Sequence, residues 1–137
     1  MEKTLIILKP DCMEQNLVGE VLKRFEQEGL VLKGCKMTHL SETTLREHYG
    51  HLIHLQVFPQ IVEFMRERPV VVAVLEGENA VARVRAMTGP TDAKVAPKGT
   101  IRGDFGVDKR RNVMHASDSL ENAAAEMARF FGPHEIF

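Results

Sequence analysis

Residues 4 to 10 read Thr4-Leu5-Ile6-Ile7-Leu8-Lys9-Pro10. A run of Leu and Ile without polar interruption has no face to give to water, so it suits a strand covered on both sides. Pro10 lacks an amide hydrogen and cannot continue a central ladder, so the strand ends with the Lys9 charge at its tip. A second run of the same kind, Val70-Val71-Val72-Ala73-Val74-Leu75, follows Pro69 and predicts another fully buried strand.

The segments around these two runs alternate in period. Val18, Val21, Leu22 and Phe25 recur at helical spacing up to Gly29, a C-cap residue, and Leu30 to Leu40 returns to an extended pattern with Lys33, Lys36 and Thr38 interleaved. Ser41 is placed to cap a helix through Leu45 and Tyr49, and Ile61, Val62, Phe64 and Met65 predict another helical turn or two. Ala80, Val81, Val84 and Met87 give a further helix that Gly89-Pro90 stops. Gly89 to Arg111 has no clean period, and a loop of that length in a small domain is either functional or disordered. Asn112 to His115 reads as a last short strand, followed by a helix capped by Ser117, Asp118 or Ser119 and running through Leu120, Ala124, Met127 and Phe131. This order predicts a ferredoxin-like split β-α-β sandwich: a four-stranded antiparallel sheet, covering helices and one long loop.

Composition narrows the function. A chain of 137 residues is the size of one domain, and a net charge of -1 argues against a nucleic-acid binder that neutralises many phosphates. Charge is uneven, however. From Lys94 to Arg111 six basic residues (Lys94, Lys98, Arg102, Lys109, Arg110, Arg111) face only Asp104 and Asp108, which makes this window +4 and the rest -5 and suits a small anionic ligand. Two widely spaced cysteines, Cys12 and Cys35, form neither a disulfide framework nor a zinc site, and no apolar leader is present, so a reducing cytoplasm is expected. The longest apolar run is far short of the ~20 residues that cross a bilayer.

Directly after the basic window stands Asn112-Val113-Met114-His115-Ala116-Ser117-Asp118. A lone imidazole among apolar residues is commonly a core histidine, so each chemical reading needs its own support. A Ser117, His115, Asp118 triad would need nucleophile, base and orienting acid lined up within four positions, which the backbone does not readily allow. His48, His51 and His54 recur at steps of three that drift around a helix and have no carboxylate in phase, so they read as surface histidines rather than metal ligands. The remaining reading makes His115 a nucleophile toward phosphorus, forming a labile P–N bond through which a phosphate is parked and passed on. Phosphoryl transfer asks a protein chiefly for positioning and positive charge, which the neighbouring basic loop supplies.

Taken together, TLIILKPD at the N-terminus, HY at 48 and 49, GTIRGDF at 99 to 105 and NVMHASDS at 112 to 119 resemble, in order and spacing, the motifs of the nucleoside diphosphate kinase family. The resemblance runs from about Glu2 to Phe131 and implies one such domain over residues 1–137. It implies transfer of the γ-phosphoryl of a nucleoside triphosphate to a nucleoside diphosphate, by a ping-pong route through phospho-His115 with Mg²⁺. It also implies that Lys9 and Tyr49 contact the transferring phosphate, that Arg85, Thr91 and Arg102 hold the remaining phosphates, and that Asn112 meets the ribose hydroxyl. Ser117 and Glu126 would hold the imidazole, and Asp118 would lie near a Mg²⁺ bound mainly by the nucleotide. Family members assemble as tetramers or hexamers, so a homo-oligomer is expected.

Two departures concern the nucleobase. Gln56-Val57-Phe58-Pro59 puts Val57 where the family has a stacking phenylalanine, and Lys109 replaces an often apolar residue on the opposite wall. A looser grip on the base is expected, and a nucleotide-binding or assembly protein of weak activity on the same scaffold is the alternative.

Overall fold

β1 (Glu2–Leu8) is an inner strand of a four-stranded antiparallel sheet with the order β2-β3-β1-β4 in the computed structural model, which describes residues 1–137. β1 is followed by α1 (Pro10–Glu14) and α2 (Val18–Gln27), and then β2 (Val31–Thr38) forms one edge. α3 (Glu42–His48), a single 3-10 turn at Gly50–Leu52 and α4 (Phe58–Met65) precede β3 (Val70–Gly77). α5 (Ala80–Thr88), a second 3-10 turn at Ala93–Val95 and α6 (Ile101–Phe105) lead to β4 (Met114–Ala116) on the other edge and to α7 (Leu120–Phe130). This is the ferredoxin-like arrangement expected from the order of elements.

The doubly apolar runs are explained by two cores, one on each face of the sheet. Ile6, Leu8, Val71, Ala73 and Leu75 pack with Val21 and Phe25 of α2, Ala80 and Val84 of α5, and Ile101 of α6. Leu5, Ile7, Val70, Val72 and Val74 pack with Leu45 of α3, four side chains of α4 and Phe130 of α7. A residue of β1 therefore meets a core whichever way it points, and truncating one of its Leu or Ile side chains to alanine would cost about 2–5 kcal/mol.

Register then decides where His115 looks. Directly opposite residues of an antiparallel pair point to the same face, and β4 pairs Ile7 with His115 while Ile6 and Leu8 pair with Ala116 and Met114. His115 thus shares the face of Ile7, under α3, α4 and α7, whereas its two neighbours enter the opposite core.

The short helix α1 and the ends of α3 at His48 and of α7 at Phe130 differ from the sequence expectation, and three further differences bear on the site. β4 starts at Met114 rather than Asn112, because Val113 adopts a φ of 76° and leaves the ladder. The long loop holds the 3-10 turn and α6, the latter capped by Thr100, whose hydroxyl accepts from the Gly103 amide; five residues are too few to reveal a period. Of the three candidate caps for α7 it is Ser119 that accepts from the Asn122 amide.

Candidate active site

A cleft of about 600 Å³ opens on the His115 face of the sheet. His115 Nε2 lies 3.0 Å from both carboxylate oxygens of Glu126, which α7 carries over the sheet. Ser117 donates to Glu126 Oε1 at 2.5 Å and accepts from the Leu5 amide, so the carboxylate is held from both sides. Burial pushes the Glu126 carboxyl upward, but the hydrogen bonds from His115 and Ser117 outweigh it and hold the group below its ordinary value. An ionised carboxylate only accepts, so Nε2 of His115 carries the hydrogen and a neutral ring has its lone pair on Nδ1. Nδ1 makes no hydrogen bond within the protein, and the side chain is 23% exposed to the cleft.

His48, the last residue of α3, stands edge-on to His115 with ring centroids 4.7 Å apart. It is buried, and its Nδ1 lies 2.9 Å from Arg129 Nη1. Arginine only donates, so Nδ1 of His48 is unprotonated, and burial pushes the ring down to about 3. His48, His115 and Glu126 bring one ligand atom each within 4.8 Å of one another. The Arg129 guanidinium occupies the His48 lone pair, however, and its charge opposes a metal ion there.

Positive charge reaches the cleft from several elements. Lys9, at the end of β1, is buried and donates to Asn112 Oδ1 at 2.7 Å and to the Arg110 carbonyl at 3.2 Å. Burial pushes its ammonium down to about 8, against the pull of Asp11 and with the help of Arg102 and Arg110. Arg102 donates to the carbonyls of Asn112, Gly89 and Met114, and burial with the neighbouring Arg85 lowers it to about 10. Arg85 donates to the Ala116 carbonyl, and Tyr49, driven up to about 12 by burial, keeps its proton as a donor. Of the six basic residues in the 94–111 window only Arg102, Lys109 and Arg110 line this cleft; Arg111 is drawn off by Glu14 and Glu67. Lys9, Arg85 and Arg129 make up the set from outside the loop.

The backbone that presents His115 is under local strain. A β-branched residue at a φ of 76° is disfavoured, and Val113 is held there by three bonds: its amide donates to Asp11 Oδ2, its carbonyl accepts from the Lys9 amide, and the Met114 amide closes a tight turn onto the Asn112 carbonyl.

The sequence model of the nucleoside diphosphate kinase family matches residues 2–136. Curated nucleoside diphosphate kinases from Gloeobacter violaceus and Picrophilus torridus are 46% and 43% identical to the chain, each over 99% of it and over 91% and 99% of their own lengths. The chain belongs to the nucleoside diphosphate kinase family. A crystal structure of the Aquifex aeolicus nucleoside diphosphate kinase superposes with a TM-score of 0.93 at 47% identity, covering 99% of both chains. One of a Halobacterium salinarum nucleoside diphosphate kinase in complex with CDP gives 0.96 at 36%, covering 99% of this chain and 91% of that one.

In this nucleoside diphosphate kinase the cleft gathers Lys9, Tyr49, Arg85, Thr91, Arg102, Asn112, His115, Asp118 and Glu126, while Ser117 lies behind Glu126. Val57 is outside the lining, 42% exposed just ahead of α4. Asn112 donates both amide hydrogens, to the carbonyls of Thr91 and Lys109, so toward a ligand it offers only its oxygen. The hydrolase triad does not form: Ser117 is committed to Glu126 and Leu5, and Asp118 is exposed and bonded to Asn122. The three histidines do not share a helix, since α3 ends at His48, and His48 is buried rather than on the surface. The sequence reading makes His48 a surface histidine and does not single out Arg129; the HY pair is the one signal for His48, because its burial comes from Phe130 and His115, which arrive from other elements.

Proposed function

We propose that the chain performs its family's phosphoryl exchange through Nδ1 of His115. In the first half-reaction the Nδ1 lone pair attacks the γ-phosphorus of a nucleoside triphosphate, the bond from that phosphorus to the β,γ-bridging oxygen breaks, and its electron pair leaves with the diphosphate product. The terminal phosphate oxygen of a second diphosphate then attacks the phosphorus, and the P–N electron pair returns to Nδ1. The observation that carries this reading is the Glu126 carboxylate on Nε2, which leaves Nδ1 as the nucleophilic atom and stabilises the charge that the ring acquires. Lys9 and Tyr49 are assigned to the transferring phosphoryl group, Arg85, Thr91 and Arg102 to the other phosphates, and the oxygen of Asn112 to a ribose hydroxyl.

Mg²⁺ fits this donor set only as a guest of the nucleotide. Glu126 is occupied by His115 and Ser117, and the one other carboxylate at the cleft is Asp118, exposed and kept below the ordinary carboxylate range by its hydrogen bond from Asn122. An ion that keeps several waters and binds phosphate oxygens, with Asp118 nearby, would neutralise developing phosphate charge.

We also assign the chain to a homo-oligomer, tetramer or hexamer, in the cytoplasm. The exposed Val31, Leu32 and Met37 on the edge strand β2 support assembly, and no helix is long and apolar enough to cross a membrane. The function is tested by mixing the protein with ATP alone: a burst of about one ADP per chain is expected, followed by turnover when a diphosphate is added. Steady ATP hydrolysis without a burst, or no ADP at all, would overturn the exchange mechanism.

A further inference from the structure

Away from His115 the cleft opens between α4 and the turn at residues 108 to 111. There it merges with a hollow of about 740 Å³ that shares Phe64, Lys109 and Arg110 with it. With its terminal phosphate at His115, a bound nucleotide has this opening for its base, beside the apolar Leu52 and Ile61. No phenylalanine ring is free to receive it. Phe58 is buried, Phe64 is buried with the Arg111 guanidinium 5.0 Å from its ring centre, and Val57 is aliphatic.

Arg110 is tied at this opening through both its backbone and its head group. Its amide donates to Asp108 Oδ1 at 2.9 Å, its carbonyl accepts from Lys9 Nζ at 3.2 Å, and its Nη2 reaches across to Gln60 Oε1 on α4 at 3.3 Å. Backbone and head group each have a partner within the protein, and such preorganisation lowers the entropic cost of using the side chain. A guanidinium is planar, and it stacks on bases much as an aromatic ring does.

We infer that Arg110, steadied across the cleft mouth by Gln60, is the stacking surface for the nucleobase in this chain. The inference rests on the nucleotide exchange proposed above. Stacking on a plane reads no base edge, so the grip is tolerant of base identity. Gln60 acts as a positioning residue through Arg110, and Lys109, which has an ammonium and no plane, does not substitute for it.

Dissociation constants of ADP and of ribose 5-diphosphate, which lacks a base, test the assignment on wild type, Arg110→Ala, Arg110→Lys and Gln60→Ala. Arg110→Ala is expected to weaken ADP about 5- to 150-fold, from the value of one base stack, and to leave ribose 5-diphosphate unchanged. Arg110→Lys should stay weak for ADP, and Gln60→Ala should show a smaller loss confined to ADP. Equal weakening of both ligands in Arg110→Ala would make the residue a phosphate contact, and unchanged ADP binding or full recovery in Arg110→Lys would also overturn the inference. Phosphoenzyme formation by the wild type with ATP separates the two levels. Its absence overturns the exchange reaction, whereas its presence with any of those contrary binding results overturns the role of Arg110 alone.

Discussion

The chemistry of the site comes down to which atoms are already engaged. Glu126 occupies one nitrogen of His115, and replacing its charge while keeping its shape isolates that effect: Glu126→Gln is expected to lower kcat about 10- to 100-fold, the value of one charge-assisted hydrogen bond. ADP affinity should stay near that of the wild type, because the carboxylate is engaged by His115 and Ser117. A fall in affinity with unchanged kcat would place Glu126 on substrate instead. Lys9 provides a pH signature. Its folded value of about 8 lies below the ordinary 10.5, so the folded protein gives up this proton across that interval while the unfolded chain keeps it. Stability from this group therefore rises with pH between 8 and 10.5, and phosphate binding falls over the same range as the charge is lost. ADP dissociation constants measured from pH 7 to 10 should increase above pH 8, and Lys9→Arg should flatten the profile; an identical profile in that variant would assign the titration elsewhere.

At the scale of elements, β1 and β4 act as one device. β1 was legible because burial on both faces writes itself into composition, as in Leu5-Ile6-Ile7-Leu8, and the same holds for β3. The start of β4 was not legible, since it depends on a bond from the Val113 amide to Asp11, a residue distant in the chain that packing brings beneath the turn. α6 escaped because it is a single short helix held by one threonine cap. Asp11→Ala would leave the buried Val113 amide without its partner at a cost of about 1–3 kcal/mol, with a strained turn that no longer has a reason to persist. The expected result is a lower thermal midpoint together with a loss of kcat larger than that of a surface substitution. A variant with lowered stability and unchanged kcat at a temperature where it is folded would show that the turn does not aim His115.

For the whole molecule, the sheet has two covered faces and one edge strand, β2, that carries exposed Val31, Leu32 and Met37. An edge of that kind is a pairing surface unless something blocks it. Sedimentation at micromolar concentration is expected to find an oligomer, and Met37→Glu is expected to shift it toward smaller species; a wild-type monomer would contradict the assembly. The site is legible at the level of residue types, because the family motifs keep their order and spacing along the chain, with NVMHASDS directly after the basic window. The division of labour inside it is not. Half of the basic window lies outside the cleft, with Arg111 drawn off by Glu14 and Glu67, and Arg85, Lys9 and Arg129 add positive charge from three separate elements.

In the proposed exchange the phosphoryl group passes through one nitrogen of one histidine. Incubation with ATP, followed by phosphorus–nitrogen correlation NMR on uniformly ¹⁵N-labelled protein and by peptide mapping, reads that atom directly. The expected result is an acid-labile phosphate on His115 bonded to Nδ1 and no label in His115→Ala. Phosphorus on Nε2, on another residue, or persisting in His115→Ala would contradict it.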